Sequence, residues 1–148
     1  MGYYEEGTGS GCENKYEAQI TAQIVQTLLD HLDPQQIGII TPYVKQRKCI
    51  SDKLDNSQVE VDTVHRFQGR EKDVIILSFC KSKVGRCYTQ FIGKPSQINV
   101  AISRARKKLI VIGNSQTIRQ NRLIKEVLNL VGGENTVIYG DFLKVELD

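Results

Sequence analysis

The sequence predicts an α/β domain built on a mostly parallel sheet, and three observations carry that expectation. A short, nearly continuous apolar run at residues 37–43 has the form of a strand buried on both faces, and residues 74–79 and 109–113 are further apolar, strand-like runs. Between them lie stretches whose apolar residues recur every three or four positions, as amphipathic helices require. Strands alternating with helices form parallel sheets, and a length of 148 residues suits one such domain with a sizeable core.

Residues 1–13 carry Gly2, Gly7, Gly9 and Gly11 without an apolar period, so a flexible opening segment is expected before a single domain over 14–148. Ile20, Ile24 and Leu28, with Val25, Leu29 and Leu32, then mark a helix over 14–32. Asn14 followed by Glu17 has the layout of a capping box, and Asp33-Pro34 ends the helix. The strand at 37–43 leads into a helix over 44–54, with Val44, Ile50 and Leu54 along one side and Gln46 and Arg47 in its first turn. A helix amino terminus attracts anions, so a cation there serves a ligand better than it serves the helix, although Arg47 taken alone also fits an exposed helical arginine.

Residues 59–64 alternate and are β-branched, the mark of a second strand, and 74–79 is the third and most apolar. Gly69 permits a backbone turn between them. Residues 81–96 read as a long basic loop in which Tyr88 and Phe91 suit either stacking on bases or packing on the domain itself. A helix is expected over 97–107, with Ile98, Ala101, Ile102 and Ala105 on one face, and a fourth strand over 109–113. Ser115 is the expected cap of a last helix containing Ile118, Ile124, Val127, Leu128 and Val131, stopped by Gly132-Gly133. Residues 136–139 are a candidate fifth strand.

Net charge is only +3, but residues 65–108 hold eleven Lys and Arg against Glu71 and Asp73. That asymmetry fits a face for a polyanion and equally a solvated basic surface. Cys12, Cys49, Cys80 and Cys87 show no C-x-x-C pair, and the only histidines are His31 and His65, so free thiols in a reducing compartment are expected rather than a metal site. No run of eighteen apolar residues exists and the amino terminus lacks the features of a signal peptide. An intracellular protein that does not span a membrane is expected.

The sequence has no Gly-x-x-x-x-Gly-Lys-Ser/Thr loop and no acidic pair at a strand end for magnesium. It offers instead two separated arginines, Arg47 and Arg104, and a carboxylate, Glu71, in a glycine turn. Cations delivered to a γ-phosphate from a neighbouring surface are the arginine-finger arrangement, and carboxylates commonly bind ribose hydroxyls.

Three stretches resemble known motifs. Ile37-Gly-Ile-Ile-Thr-Pro-Tyr-Val-Lys-Gln-Arg47 is similar to helicase motif IV, residues 61–78 to motif V, and Asn99-Val-Ala-Ile-Ser-Arg-Ala-Arg106 to motif VI. In order and spacing they resemble the superfamily 1 helicases, in the branch of the nonsense-mediated-decay helicase, senataxin and the Dna-two nuclease-helicase. The resemblance runs from about Asn14 to Asn114 and implies a RecA-like P-loop NTPase fold, specifically the second RecA-like domain. It implies that Arg47 and Arg104 contact the γ-phosphate of ATP, and that Gln46 and Glu71 line the nucleotide, Glu71 at the ribose. Gln68 and Gly69 would turn the chain between nucleotide and nucleic acid, and Thr63, His65, Arg70 and Arg106 would lie along single-stranded DNA or RNA. Ser103 stands where Thr is commoner and keeps the hydroxyl.

Motifs I, Ia, II and III belong to a first RecA-like domain that these residues do not include. ATP and Mg2+ are therefore expected to be held mainly by that partner domain, with this chain alone inactive as an ATPase. The family's activity would be translocation in the 5′ to 3′ direction, driven by closure of the two domains. Two other classes remain at this point: a stand-alone single-strand-binding module without ATPase activity, and a structural docking domain.

Overall fold

The computed structural model describes residues 13–55, 57–67, 69–80, 95–119 and 121–131. They form helix α1 (Lys15–Leu29), a 3-10 turn (Pro34–Gln36), strand β1 (Ile37–Thr41), helix α2 (Val44–Leu54), strands β2 (Glu60–Thr63) and β3 (Lys72–Ser78), helix α3 (Pro95–Ile102), strand β4 (Ala105–Ile112) and helices α4 (Ser115–Ile118) and α5 (Arg122–Val131). The four strands make one sheet in the order β2-β1-β3-β4, and every pair is parallel. Helices flank it, as expected for an α/β RecA-like fold.

Alternation along the strands sorts the core into two layers. Ile37, Ile39 and Ile76 pack with Ala18, Ile24 and Val25 of α1 and Ile50 and Leu54 of α2. Ile40, Ile75 and Leu77 pack on the other face with Ile98 and Ala101 of α3, Ile124 of α5 and Phe67 of the β2–β3 loop. β1 and most of β3 are buried throughout, which is why both are written as continuous apolar runs.

Several expected elements differ in detail. Val44 is 62% exposed, and the buried line of α2 is Gln46, Ile50 and Leu54, spaced by four as one helical face demands. The capping box of α1 is half made: Asn14 Oδ1 accepts from the Glu17 N–H at 2.9 Å, but the Glu17 carboxylate turns away to β3. Residues 105–107, expected in a helix, begin β4, because pairing with β3 starts at Lys72 opposite Ala105. The last helix is two, capped by asparagines. Asn114 Oδ1 accepts from the Thr117 N–H at 3.0 Å and Asn121 Oδ1 from the Ile124 N–H at 3.2 Å. The opening segment through residue 12, most of the basic loop and the candidate fifth strand lie outside the described residues.

Candidate functional site

The loop from β2 to β3 contains no helix, so it must carry the chain back from the carboxyl end of one strand to the amino end of another by turns alone. Phe67 pins it: its N–H donates to Thr63 O at 2.9 Å, and its ring is fully buried over β1. Gly38 makes room for that ring, since a Cβ there would sit 2.6 Å from Phe67 Cζ. At the carboxyl end, Thr63 lies level with Thr41 and exposed His65 meets Gln97 of α3, Nε2 to Nε2 at 3.1 Å. Gly69 takes φ +78, the left-handed turn that its lack of a Cβ allows.

Beyond Gly69 the loop is held by charge. Arg70 pairs with Glu60 and, at 3.5 Å, with Asp62, and its guanidinium lies 5.0 Å from the centre of the Phe67 ring. Lys72 joins Glu60 at 3.2 Å, and Arg47 reaches Asp62 at 3.6 Å from the first turn of α2. Two carboxylates of β2 thus gather three cations.

The next residue, Glu71, is exposed and has no hydrogen-bond or ion-pair partner among the described residues. It stands beside Arg104, because the Lys72 N–H donates to Arg104 O at 3.0 Å where β3 and β4 begin to pair. The Arg104 guanidinium donates to Val100 O and to Ser103 Oγ, each at 3.1 Å, and no carboxylate among the described residues meets it. An uncompensated cation and an uncompensated carboxylate therefore flank the amino ends of two adjacent strands.

Arg106 is differently placed. Its Nε and Nη2 lie 3.0 and 2.9 Å from Asp73 Oδ1, while Lys107 Nζ and Gln36 Nε2 hold Oδ2 at 2.9 and 3.0 Å. Hydrogen bonds from Lys107 and then Gln36 keep the Asp73 carboxyl below the usual carboxylate range. Arg106 sits at the level of Asp73, whereas Thr63 sits at the level of Ser78, so roughly 16 Å of strand separates them. The structure does not bring Arg106 to Thr63 and His65.

Gln46 is likewise away from any ligand surface. It is fully buried, its Oε1 accepting from the Asn14 N–H at 2.7 Å and its Nε2 donating to Asn14 O at 3.2 Å and Ser78 Oγ at 3.3 Å. Gln68 lies outside the described residues. Arg47 starts near the carboxyl end of β1 and Arg104 near the amino end of β4, linked by the run of contacts through Asp62, Arg70, Glu60 and Lys72. Two residues were not singled out by sequence: Arg66, exposed beside His65 with no carboxylate partner among the described residues, and Gln97. The signal for Arg66 was its place in the basic segment; Gln97 offered none.

Among the described residues no group of three His, Cys, Asp or Glu can hold a metal, and no helix is long and apolar enough to cross a membrane. Cys49 is a free thiol, and burial pushes it up.

Residues 3–116 match the AAA_12 family, described as an AAA domain. The chain is 36% identical over 138 residues to the DNA replication ATP-dependent helicase/nuclease JHS1 of Arabidopsis thaliana, covering 91% of this chain and 10% of that protein. It is 35% identical over 158 residues to regulator of nonsense transcripts 1 of Dictyostelium discoideum, covering 96% and 12%, and 39% identical over 131 residues to the ATP-dependent helicase upf1 of Schizosaccharomyces pombe, covering 80% and 14%. This chain spans about a tenth of the length of the curated relatives it matches. A parallel α/β sheet with motifs IV, V and VI in order, and a family match over most of the chain, lead to one conclusion: the chain belongs to the AAA_12 family of AAA domains, the C-terminal region of superfamily 1 helicases.

Proposed function

We propose that this chain is the second RecA-like lobe of an ATP-dependent superfamily 1 helicase, that Arg104 and Arg47 deliver positive charge to the γ-phosphate, and that Glu71 accepts from the ribose hydroxyls. The observation that carries this reading is that Glu71 and Arg104, brought to the neighbouring starts of β3 and β4, each lack an opposite charge among the described residues. Around them Arg70, Lys72, Arg106 and Lys107 are neutralised by Glu60, Asp62 and Asp73, while these two are not. A carboxylate and a cation left open side by side suit a ligand that carries both hydroxyls and phosphate.

Arg47 has a weaker claim on its partner. Asp62 lies 3.6 Å away and also faces Arg70, so exchanging that carboxylate for a phosphate oxygen leaves Asp62 paired. The donor set fits a nucleotide's sugar and outer phosphate but not its metal. Mg2+ and the inner phosphates are assigned to a first lobe outside these residues, and ATP when bound supplies the phosphoanhydride whose hydrolysis drives the cycle. Gln46 leaves the ligand set because it is buried, and Arg106 leaves the nucleic-acid set because Asp73 holds it at the other end of the sheet.

Thr63, His65 and Arg66, at the carboxyl end, are proposed to donate to the backbone of single-stranded DNA or RNA, with the turn at Gly69 joining that end to Glu71. Closure of the two lobes would bring Arg47 and Arg104 to the phosphate. The chain by itself should turn over no ATP. In the longer protein, Arg104→Ala should lower kcat by about a thousandfold or more, the range typical of arginine fingers, with strand affinity in the absence of nucleotide unchanged. Unchanged turnover would remove Arg104 from this role.

A further inference from the structure

We infer that Gln46 is a positioning residue for Arg47, acting through a buried polar network that ties the first turn of α2 to α1 and to the carboxyl end of β3; this rests on the reading of Arg47 as an arginine finger. The layer between α1, α2 and the sheet is apolar nearly everywhere, built from Ile, Val, Leu and Ala. At the start of the two helices it changes character. Asn14, Glu17, Gln46 and Ser78 are all buried there and bonded to one another.

The bonds are directional and mutually dependent. The Gln46 carboxamide takes the Asn14 N–H and gives to Asn14 O, as a neighbouring strand would, and its second N–H reaches Ser78 Oγ. Ser78 in turn donates to Glu17 Oε1 at 2.6 Å, which also accepts the Cys80 N–H at 2.8 Å, while Asn14 Nδ2 donates to Cys80 O at 3.2 Å. Both backbone groups of Cys80 are thereby fixed, and Cys80 is held at φ +65, a conformation L residues avoid. Strain of this kind persists only where surroundings overdetermine it.

Apolar packing tolerates small slides of a helix, whereas a fully satisfied buried network selects one arrangement. The N-cap residue of α2, Tyr43, makes no side-chain cap hydrogen bond. Tyr43 is itself packed against Cys80, so both anchors of that turn lead to the same strained residue. Arg47 follows Gln46 directly and reaches outward to Asp62 from the turn so fixed.

The test is a double-mutant cycle in the longer protein, with kcat and KM for ATP measured at saturating single strand and thermal unfolding measured in parallel. Gln46→Leu should lower kcat about tenfold to a hundredfold with KM little changed, the size expected for misplacing a catalytic group. In an Arg47→Ala background the same substitution should lower kcat by no more than about twofold, while its effect on the melting temperature is the same in both backgrounds. A full-sized kcat loss in both backgrounds, or none in Gln46→Leu alone, overturns the inference and leaves Arg47 as it stands. Unchanged turnover in Arg47→Ala overturns the finger reading, and this inference with it. If Gln46→Leu does not fold, Ser78→Ala, which spares both Gln46 bonds to Asn14, should give the same non-additive pattern at smaller size; additive losses there overturn the inference.

Discussion

Two glycines serve the site for opposite reasons. Gly69 has nothing within 4 Å of the position a Cβ would take, so only its φ of +78 resists substitution. Gly38 has an ordinary backbone but would place a Cβ 2.6 Å from Phe67 Cζ and 2.9 Å from Lys72 Cγ. Gly69→Ala should therefore destabilise by about 1–2 kcal/mol through backbone strain alone, and Gly38→Ala by about 1–3 kcal/mol through overpacking. Asparagine separates the two causes, because it enters the left-handed region more readily than alanine but is larger. In urea unfolding, Gly69→Asn should recover part of the loss, while Gly38→Asn should be worse than Gly38→Ala; the same order at both sites would refute the distinction. The turn at Gly69 was legible in the sequence, since its cause is local. The need for Gly38 was not, because Phe67 arrives from a distant loop and no local pattern encodes a close approach. Gln46 failed for a related reason: a polar side chain on a helix is taken to face out, although its spacing with Ile50 and Leu54 marked the buried side.

Among the elements, existence and type were largely readable, whereas the start of β4 and the break in the last helix were not. α2 spans Val44–Leu54 as expected, and β1 and β3 follow from apolar runs that only a doubly covered strand explains. The start of β4 was hidden by its composition: residues 105–108 are Ala, Arg, Lys and Lys, all helix formers or neutral to it. Pairing with β3 overrides that preference, and Asp73 fixes the pairing by drawing Arg106 and Lys107 of β4 and Gln36 before β1 to one carboxylate. Because the folded carboxyl is held below its ordinary value, its contribution to stability is complete above the unfolded value of about 3.9 and fades as pH falls through the lower folded value. Asp73→Asn should accordingly be less stable than the parent at neutral pH, and the difference in melting temperature should close on acidification below about pH 4. A difference that holds constant down to strongly acidic pH would show that the charge of Asp73 is not what joins these strands.

At the scale of the whole molecule, not every cation behind the charge asymmetry seen in the sequence is open to a polyanion. Of the cations described between residues 65 and 108, Arg70, Lys72, Arg106 and Lys107 are held by Glu60, Asp62 and Asp73, whereas Arg66, Arg104 and Lys108 meet no carboxylate. A side chain that stays paired with a carboxylate neutralises no phosphate and so displaces no counterion from the strand, so only the open cations should steepen the salt dependence of binding. The proposed strand path makes a sharper demand, because it runs at the carboxyl end of the sheet, where Arg66 stands and Arg106 does not. Arg66→Gln should weaken single-strand binding and reduce the slope of log affinity against log salt by about 0.7, one phosphate contact on a single strand. Arg106→Gln should leave that slope unchanged while lowering thermal stability, since it strips one cation from Asp73. Measured on this chain and on the longer protein, the two slopes distinguish a strand that follows His65 and Thr63 from one drawn to the basic start of β4. Loss of slope in Arg106→Gln with none in Arg66→Gln would move the strand to the opposite end of the sheet, onto the end where Glu71 and Arg104 stand, and leave no room there for a nucleotide.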